Sequence, residues 1–278
     1  MSNTLVLNST NITNQPNIFQ YNFLNGAFAV QEGSELCISG ITIPYSWYNI
    51  QQQFYNNTTF EFTFTQAVTT TYTVVLPNGY YSVNSLNDFI QGFCVNNGLY
   101  LVDADGNNVY YLSLIYNVST YSVQFLSFAV PTALPVGYTN PAGLVFPAVA
   151  STPQLIISPT NNFGTIIGFT AGTYPPVIQA TNYSITSNTL PVGSPVNSII
   201  VRCNLVSNNV ISPSDILDSF QITGTFGSNL NYSPNFEKWI KIKSGRYASF
   251  IISFEDQNFN AIPILDSNVL ITLLLRTK

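Results

Sequence analysis

Apolar residues along the chain come in short runs, and almost none of them fits a helical period. The clearest run is Thr59 to Thr65, where Phe60, Phe62 and Phe64 alternate with Thr59, Glu61, Thr63 and Thr65. A period of two puts the rings on one face of a strand and the hydroxyls and carboxylate on the other. Thr71 to Leu76 follows as its neighbour, ended by Pro77-Asn78-Gly79. Upstream, Ile18 to Val30 carries Phe19, Tyr21, Phe23 and Phe28, is broken at Asn25-Gly26, and reads as a strand or a hairpin; Glu35 to Ile43 reads as a strand stopped by Pro44. Downstream, strands are predicted at Leu99 to Val102, Val109 to Tyr116, Tyr121 to Phe128, Asn197 to Val206 and Ile216 to Ile222. The final segment holds three more, Trp239 to Lys243, Tyr247 to Phe254 and Val269 to Arg276, separated by Ser244-Gly245, Glu255 to Asn258 and Asp266-Ser267-Asn268. Val269 to Leu275 is the most apolar run of all. Left unpaired it would be an aggregation hazard, so it is expected inside a sheet.

One stretch breaks the pattern. Leu86, Phe89, Ile90 and Phe93 fall at i, i+3, i+4 and i+7, which predicts a helix with Ser85 and Asp88 at its start and Asn96-Asn97-Gly98 at its stop. Its expected role is to cover one sheet. A helical turn is also expected around Asn161 to Ile167. Met1 to Pro16 is polar and reads as an N-terminal arm. From Ala129 to Pro195 prolines and glycines crowd together, and apolar content never rises into a second core pattern. This stretch is therefore read as an extended loop excursion of one domain spanning residues 1–278. With about ten strands and one convincing helix, the fold class is all-β, a single jelly-roll β-sandwich with long Pro/Gly-rich inter-strand loops.

Composition narrows the function. Only 7% of residues are charged, against a typical value of about 25%, while 46% are hydrophobic. The surface must then be made of Asn, Gln, Ser, Thr and Tyr, which desolvates at little cost and favours a subunit of an assembly. The net charge of −5 gives no general attraction to nucleic acid. Lys238, Lys241, Lys243, Arg246, Arg276 and Lys278 cluster near the C-terminus, either as a face for an acidic partner or as a solvated rim balanced by Glu237, Glu255 and Asp256. No signal peptide and no membrane-spanning run is visible, and the Asn-x-Ser/Thr sites in so Asn-rich a chain carry little weight.

Histidine is absent, which excludes Ser-His-Asp and Cys-His catalysis and histidine metal sites. Cys37, Cys94 and Cys203 are odd in number and widely spaced, so they are expected to be buried free thiols. Among the acids, Glu61 faces out from its strand and Asp215 and Asp218 follow a Ser212-Pro213-Ser214 turn; solvated or turn-capping roles explain all three. The run Asp103 to Asn108 has Gly106 in fourth place, not the sixth a calcium loop needs, and reads as a hairpin turn. No catalytic, cofactor-binding or metal residues are assigned, and no cofactor is expected. Two alternatives stay open: a glycan- or receptor-binding, lectin-like sandwich stacking Trp47, Tyr48 and Trp239 on sugars, and a glycoside hydrolase using paired carboxylates such as Glu61.

Several stretches resemble, in order, the penton (minor capsid) proteins of virophages and polinton-like viruses. They are Pro44-Tyr45-Ser46-Trp47-Tyr48-Asn49-Ile50, the run from Pro77 to Leu86, Phe163 to Phe169 with Gly172-Thr173-Tyr174-Pro175, Ser194 to Ile199, and the final hairpin from Gly245-Arg246-Tyr247 to Arg276. The resemblance implies a structural virion protein, a single jelly roll forming homopentamers at the fivefold vertices of an icosahedral capsid. It further implies contact with a double-jelly-roll major capsid protein and synthesis in the host cell cytoplasm. It carries over no catalytic or interface residues.

Overall fold

The computed structural model describes residues 2–24 and 26–277. Asn25 of the expected Asn25-Gly26 break lies outside the described residues, as do Met1 and Lys278 of the arm and the basic cluster. The described chain falls into two compact units, residues 1–47 with 196–278, and residues 48–195.

The first unit is built from eight principal strands: β1 (Ser2–Leu7), β2 (Ile18–Asn22), β3 (Glu35–Pro44), β4 (Ser198–Cys203), β5 (Ile216–Gln221), β6 (Asn229–Tyr232), β7 (Ser249–Glu255) and β8 (Leu270–Arg276). They form two antiparallel sheets in the orders β1-β8-β3-β6 and β5-β4-β7-β2. From β1 to β3, and again from β5 to β8, the chain changes sheet at every step; only β4 and β5 are consecutive in one sheet. This is the jelly-roll winding of two Greek keys. Alternation explains the two layers: Phe250, Ile252 and Phe254 of β7 are fully buried, as are Ile271 and Leu273 of β8, while the residues between them face outward. Both sheets share one core, with Leu7, Phe19, Ile43, Ile199 and Val201 among its members. β8 lies between β1 and β3, so the apolar C-terminal run is internal to its sheet, as its sequence demands.

The second unit enters the chain between β3 and β4. Its four-stranded sheet runs in the order Gly172–Tyr174, Gln154–Ile157, Thr59–Thr65, Thr69–Val75. A three-stranded sheet follows the order Tyr183–Thr186, Ser122–Ser127, Leu112–Asn117, with the helix Val83–Asn96 against its last strand. Phe60, Phe62 and Phe64 point into a core of their own, together with Leu86, Ile90, Phe125, Leu155 and Phe163.

Four expectations change. Ser2–Leu7 is a strand paired along its length with β8, not an arm, because Leu5 and Leu7 alternate into the core. Residues 129–195 are not an excursion from a single core: Leu155, Ile157, Phe163, Ile166, Ile167 and Phe169 are buried in the second cluster, and the unit they belong to begins at Tyr48. Ile18 to Val30 is no hairpin, since Ile18–Asn22 pairs with β7 and Phe28–Val30 with Gly245–Tyr247. The helix starts at Val83, and its cap is Ser82, whose hydroxyl accepts from the Ser85 N–H at 3.1 Å.

Candidate assembly surface

The outward positions of the β1-β8-β3-β6 sheet are Thr4 and Val6, Leu270, Thr272 and Leu274, Gly40 and Thr42, and Asn229 and Asn231. Thr4, Val6, Leu270, Asn229 and Asn231 are exposed. Thr42 donates its hydroxyl to Asn231 Oδ1 at 2.9 Å across the face. No ionisable side chain interrupts it until Glu35 and Arg276 at one end. There Arg276 Nε donates to Glu35 Oε2 at 2.6 Å, and the guanidinium lies 4.1 Å from the Trp239 ring, whose Nε1–H donates to Glu237. Cys37 of β3, paired with Leu274 of β8, is fully buried; burial first, and the Glu237 charge second, push its thiol up to about 11.

Charge on the other sheet is concentrated and paired. Arg202 on β4 forks between two carboxylates: Nε and Nη2 donate to Asp215 at 3.0 and 2.8 Å, and Nη1 donates to both oxygens of Glu255 at 2.8 and 2.9 Å. These bonds hold the guanidinium proton even more firmly than usual. Asp218, on the same edge strand as the bulge at Leu217, is buried and accepts from Tyr232 OH at 2.6 Å, Lys238 Nζ at 2.8 Å and the Ser219 N–H at 2.9 Å. Burial, then the bond to Asp218, raises the Tyr232 hydroxyl.

The acids picked out by sequence are therefore not brought together. Asp215 belongs to Arg202, Asp218 to Lys238 and Tyr232, and Glu61 accepts from Thr73 in the other unit. Ion pairing, not turn capping, accounts for the two aspartates. Of the C-terminal basic cluster, Lys238 pairs with Asp218 and Arg276 with Glu35, acids distant from them in sequence. Nothing in the spacing of Arg202, Asp215 and Glu255 marks them as one cluster, because strand pairing alone makes them neighbours. The sugar platform is not assembled either: Trp47 is 1% exposed and packs on Tyr45, and Trp239 lies beneath Arg276.

Asp103 closes its hairpin turn by accepting from the Asp105 and Asn107 N–H groups, which lowers its pKa, and Gly106 takes the left-handed conformation at φ +85°. The three cysteines are free and buried, with burial pushing Cys94 and Cys203 up to about 12. Among the described residues no group of three or more Cys, Asp or Glu is placed to hold a metal ion, and no helix is long and apolar enough to cross a membrane. An open groove lined by Thr120, Tyr121, Ser122 and residues 186–190 offers hydroxyls and an amide but no carboxylate or amine.

No protein-family model and no curated protein matches the chain. Among solved structures it is similar to the mavirus penton protein, at 10% identity and a TM-score of 0.44, covering 100% of this chain and 98% of that one. It is also similar to a chain of the Sputnik virophage, at 13% identity and a TM-score of 0.38, covering 99% and 97%.

Proposed function

We propose that the chain is a structural virion protein, a penton (minor capsid) subunit that forms homopentamers at capsid vertices. The observation that carries the reading is a complete eight-stranded jelly roll whose β1-β8-β3-β6 sheet presents an outer face charged only at its Glu35–Arg276 end. Such a face gives up water cheaply, and a stable contact of this kind buries about 1,000 Å² or more. Five copies close a ring through head-to-tail contacts, each using two different patches. Its neighbour in the shell is a double-jelly-roll major capsid protein, and its site of action the virion. The concentrated, internally paired charges around Arg202 and Asp218 serve the subunit's own stability in this reading, not turnover of a substrate.

Light scattering on the purified protein over a range of salt and concentration is the test. A discrete species at five times 30.6 kDa is expected. A strict monomer at every concentration, or a closed species of another number, counts against the pentamer.

A further inference from the structure

Sheet edges expose unpaired N–H and C=O groups, and folded chains usually guard them by shortness, charge, bulges, proline or a covering element. Most edges of this protein are guarded in just these ways. β5 carries Asp218 and a bulge. β2 is covered by Ile12, which bridges to Phe19, and by Asn11, whose Nδ2 donates to the Gln20 carbonyl at 3.1 Å. The edge strand Leu112–Asn117 has the helix against it, and Asn87 Oδ1 accepts from the Leu114 N–H at 2.9 Å. Gly172–Tyr174 is three residues long and runs into Pro175-Pro176, while Tyr183–Thr186 and Asn229–Tyr232 have four residues each.

Thr69–Val75 has none of these guards. It is seven residues, TTTYTVV, without charge, proline or bulge, and it pairs along its whole length with Thr59–Thr65 on one side and, among the described residues, with no strand on the other. Thr69, Thr70, Thr71, Thr73 and Val75 are exposed. Every residue type in it favours extended backbone. An uncharged edge of this length, rich in β-branched residues, invites strand addition.

We infer that Thr69–Val75 is an assembly edge, continued by a strand from a second copy of this chain. The chain itself supplies a strand of matching kind. β1, Ser2–Leu7, is the other long open edge, again uncharged and free of proline, and it ends the β1-β8-β3-β6 sheet. Two different open edges per copy are what a head-to-tail contact requires, whereas a single self-complementary edge would stop at a dimer. The inference rests on the reading that copies of the chain associate.

The experiment compares the wild type with Thr71→Lys/Val75→Lys, which puts two charges on the exposed side of the edge, and with Val118→Lys/Val210→Lys, which puts the same charge on exposed turns. Molar mass is followed against concentration by light scattering. Hydrogen exchange of the 69–75 amides is followed in the wild type, a readout that does not depend on the variants folding. The edge variant is expected to need at least ~10-fold more protein to assemble, the turn variant to behave as wild type, and those 69–75 amides that point away from Thr59–Thr65 to become protected only in the assembled species. If all three proteins assemble alike and the amides exchange equally fast in monomer and assembly, the inference is overturned while a fivefold species keeps the penton reading intact. A wild-type assembly of some other number, lost in the edge variant, keeps the inference and removes the pentamer. A wild type that never associates overturns both.

Discussion

Arg202 shows how much of this surface is decided by single side chains. Its guanidinium is three-quarters covered and holds two carboxylates that would otherwise repel each other. Arg202→Ala is therefore expected to cost about 1–3 kcal/mol, more than the near-zero value usual for an exposed ion pair, because it leaves two acids half-buried and unpartnered. Urea midpoints of the variant and the wild type read this directly; a shift of only a few tenths would mean that water screens the cluster. The thiols give a second prediction. Cys94 and Cys203 are lifted from 9.0 to about 12 by burial, and Tyr111 from 10.0 to about 12. In the unfolded chain these groups ionise near their ordinary values while the folded chain keeps its protons. Stability is then fully present below about pH 9 and falls as pH rises towards 12. Melting temperature should decline through that window, and Cys94→Ala/Cys203→Ala should flatten the decline; an unchanged slope in the double variant would assign it to Cys37 and the tyrosines.

At the scale of elements, the local period was the readable quantity and the ends were not. The phenylalanines at 60, 62 and 64 announce their strand because period two is written in adjacent residues, and Leu86 with Ile90 announces the helix in the same way. The cap was misplaced by one turn. Ser85 and Asp88 satisfy a capping pattern, but Val83 and Asn84 already have helical backbone, and Ser82 sits in the extended conformation that lets its oxygen reach back to the Ser85 N–H. Ser82→Ala is expected to cost about 1 kcal/mol, whereas Asp88→Asn, which removes a charge lying beyond the first turn, should cost no more than a few tenths. Equal losses in chemical denaturation would return the cap to Ser85. The same limit explains Ser2–Leu7. Among its described side chains only Leu5 and Leu7 enter the core, too few to signal a strand, and what makes it one is the unpaired edge of β8 at the other end of the chain.

The whole molecule was legible as a class and not as a plan. Frequent turn signals and alternating apolar runs give an all-β chain, but the strand order depends on pairings such as Leu7 with Ile271 and Ile43 with Leu230, which no local window contains. The second core escaped for a related reason. Its members after residue 129 arrive singly, Leu155 and Ile157 from a four-residue strand and Phe163, Ile166 and Ile167 from a five-residue helix, so no run of the sequence looks like a core. Prolines there end short elements; they do not mark loose chain. Two separate hydrophobic clusters carry a thermodynamic consequence, since each unit loses its own packing when it opens. Leu273→Ala in β8 and Leu155→Ala in the second unit should each cost about 2–5 kcal/mol, being fully buried leucines. In scanning calorimetry the unfolding of the wild type is expected to resolve into two components, the first variant lowering one and the second variant lowering the other. A single transition moved equally by both would mean that the two cores melt as one, and residues 48–195 would then have to be counted as part of the jelly roll's own cooperative unit.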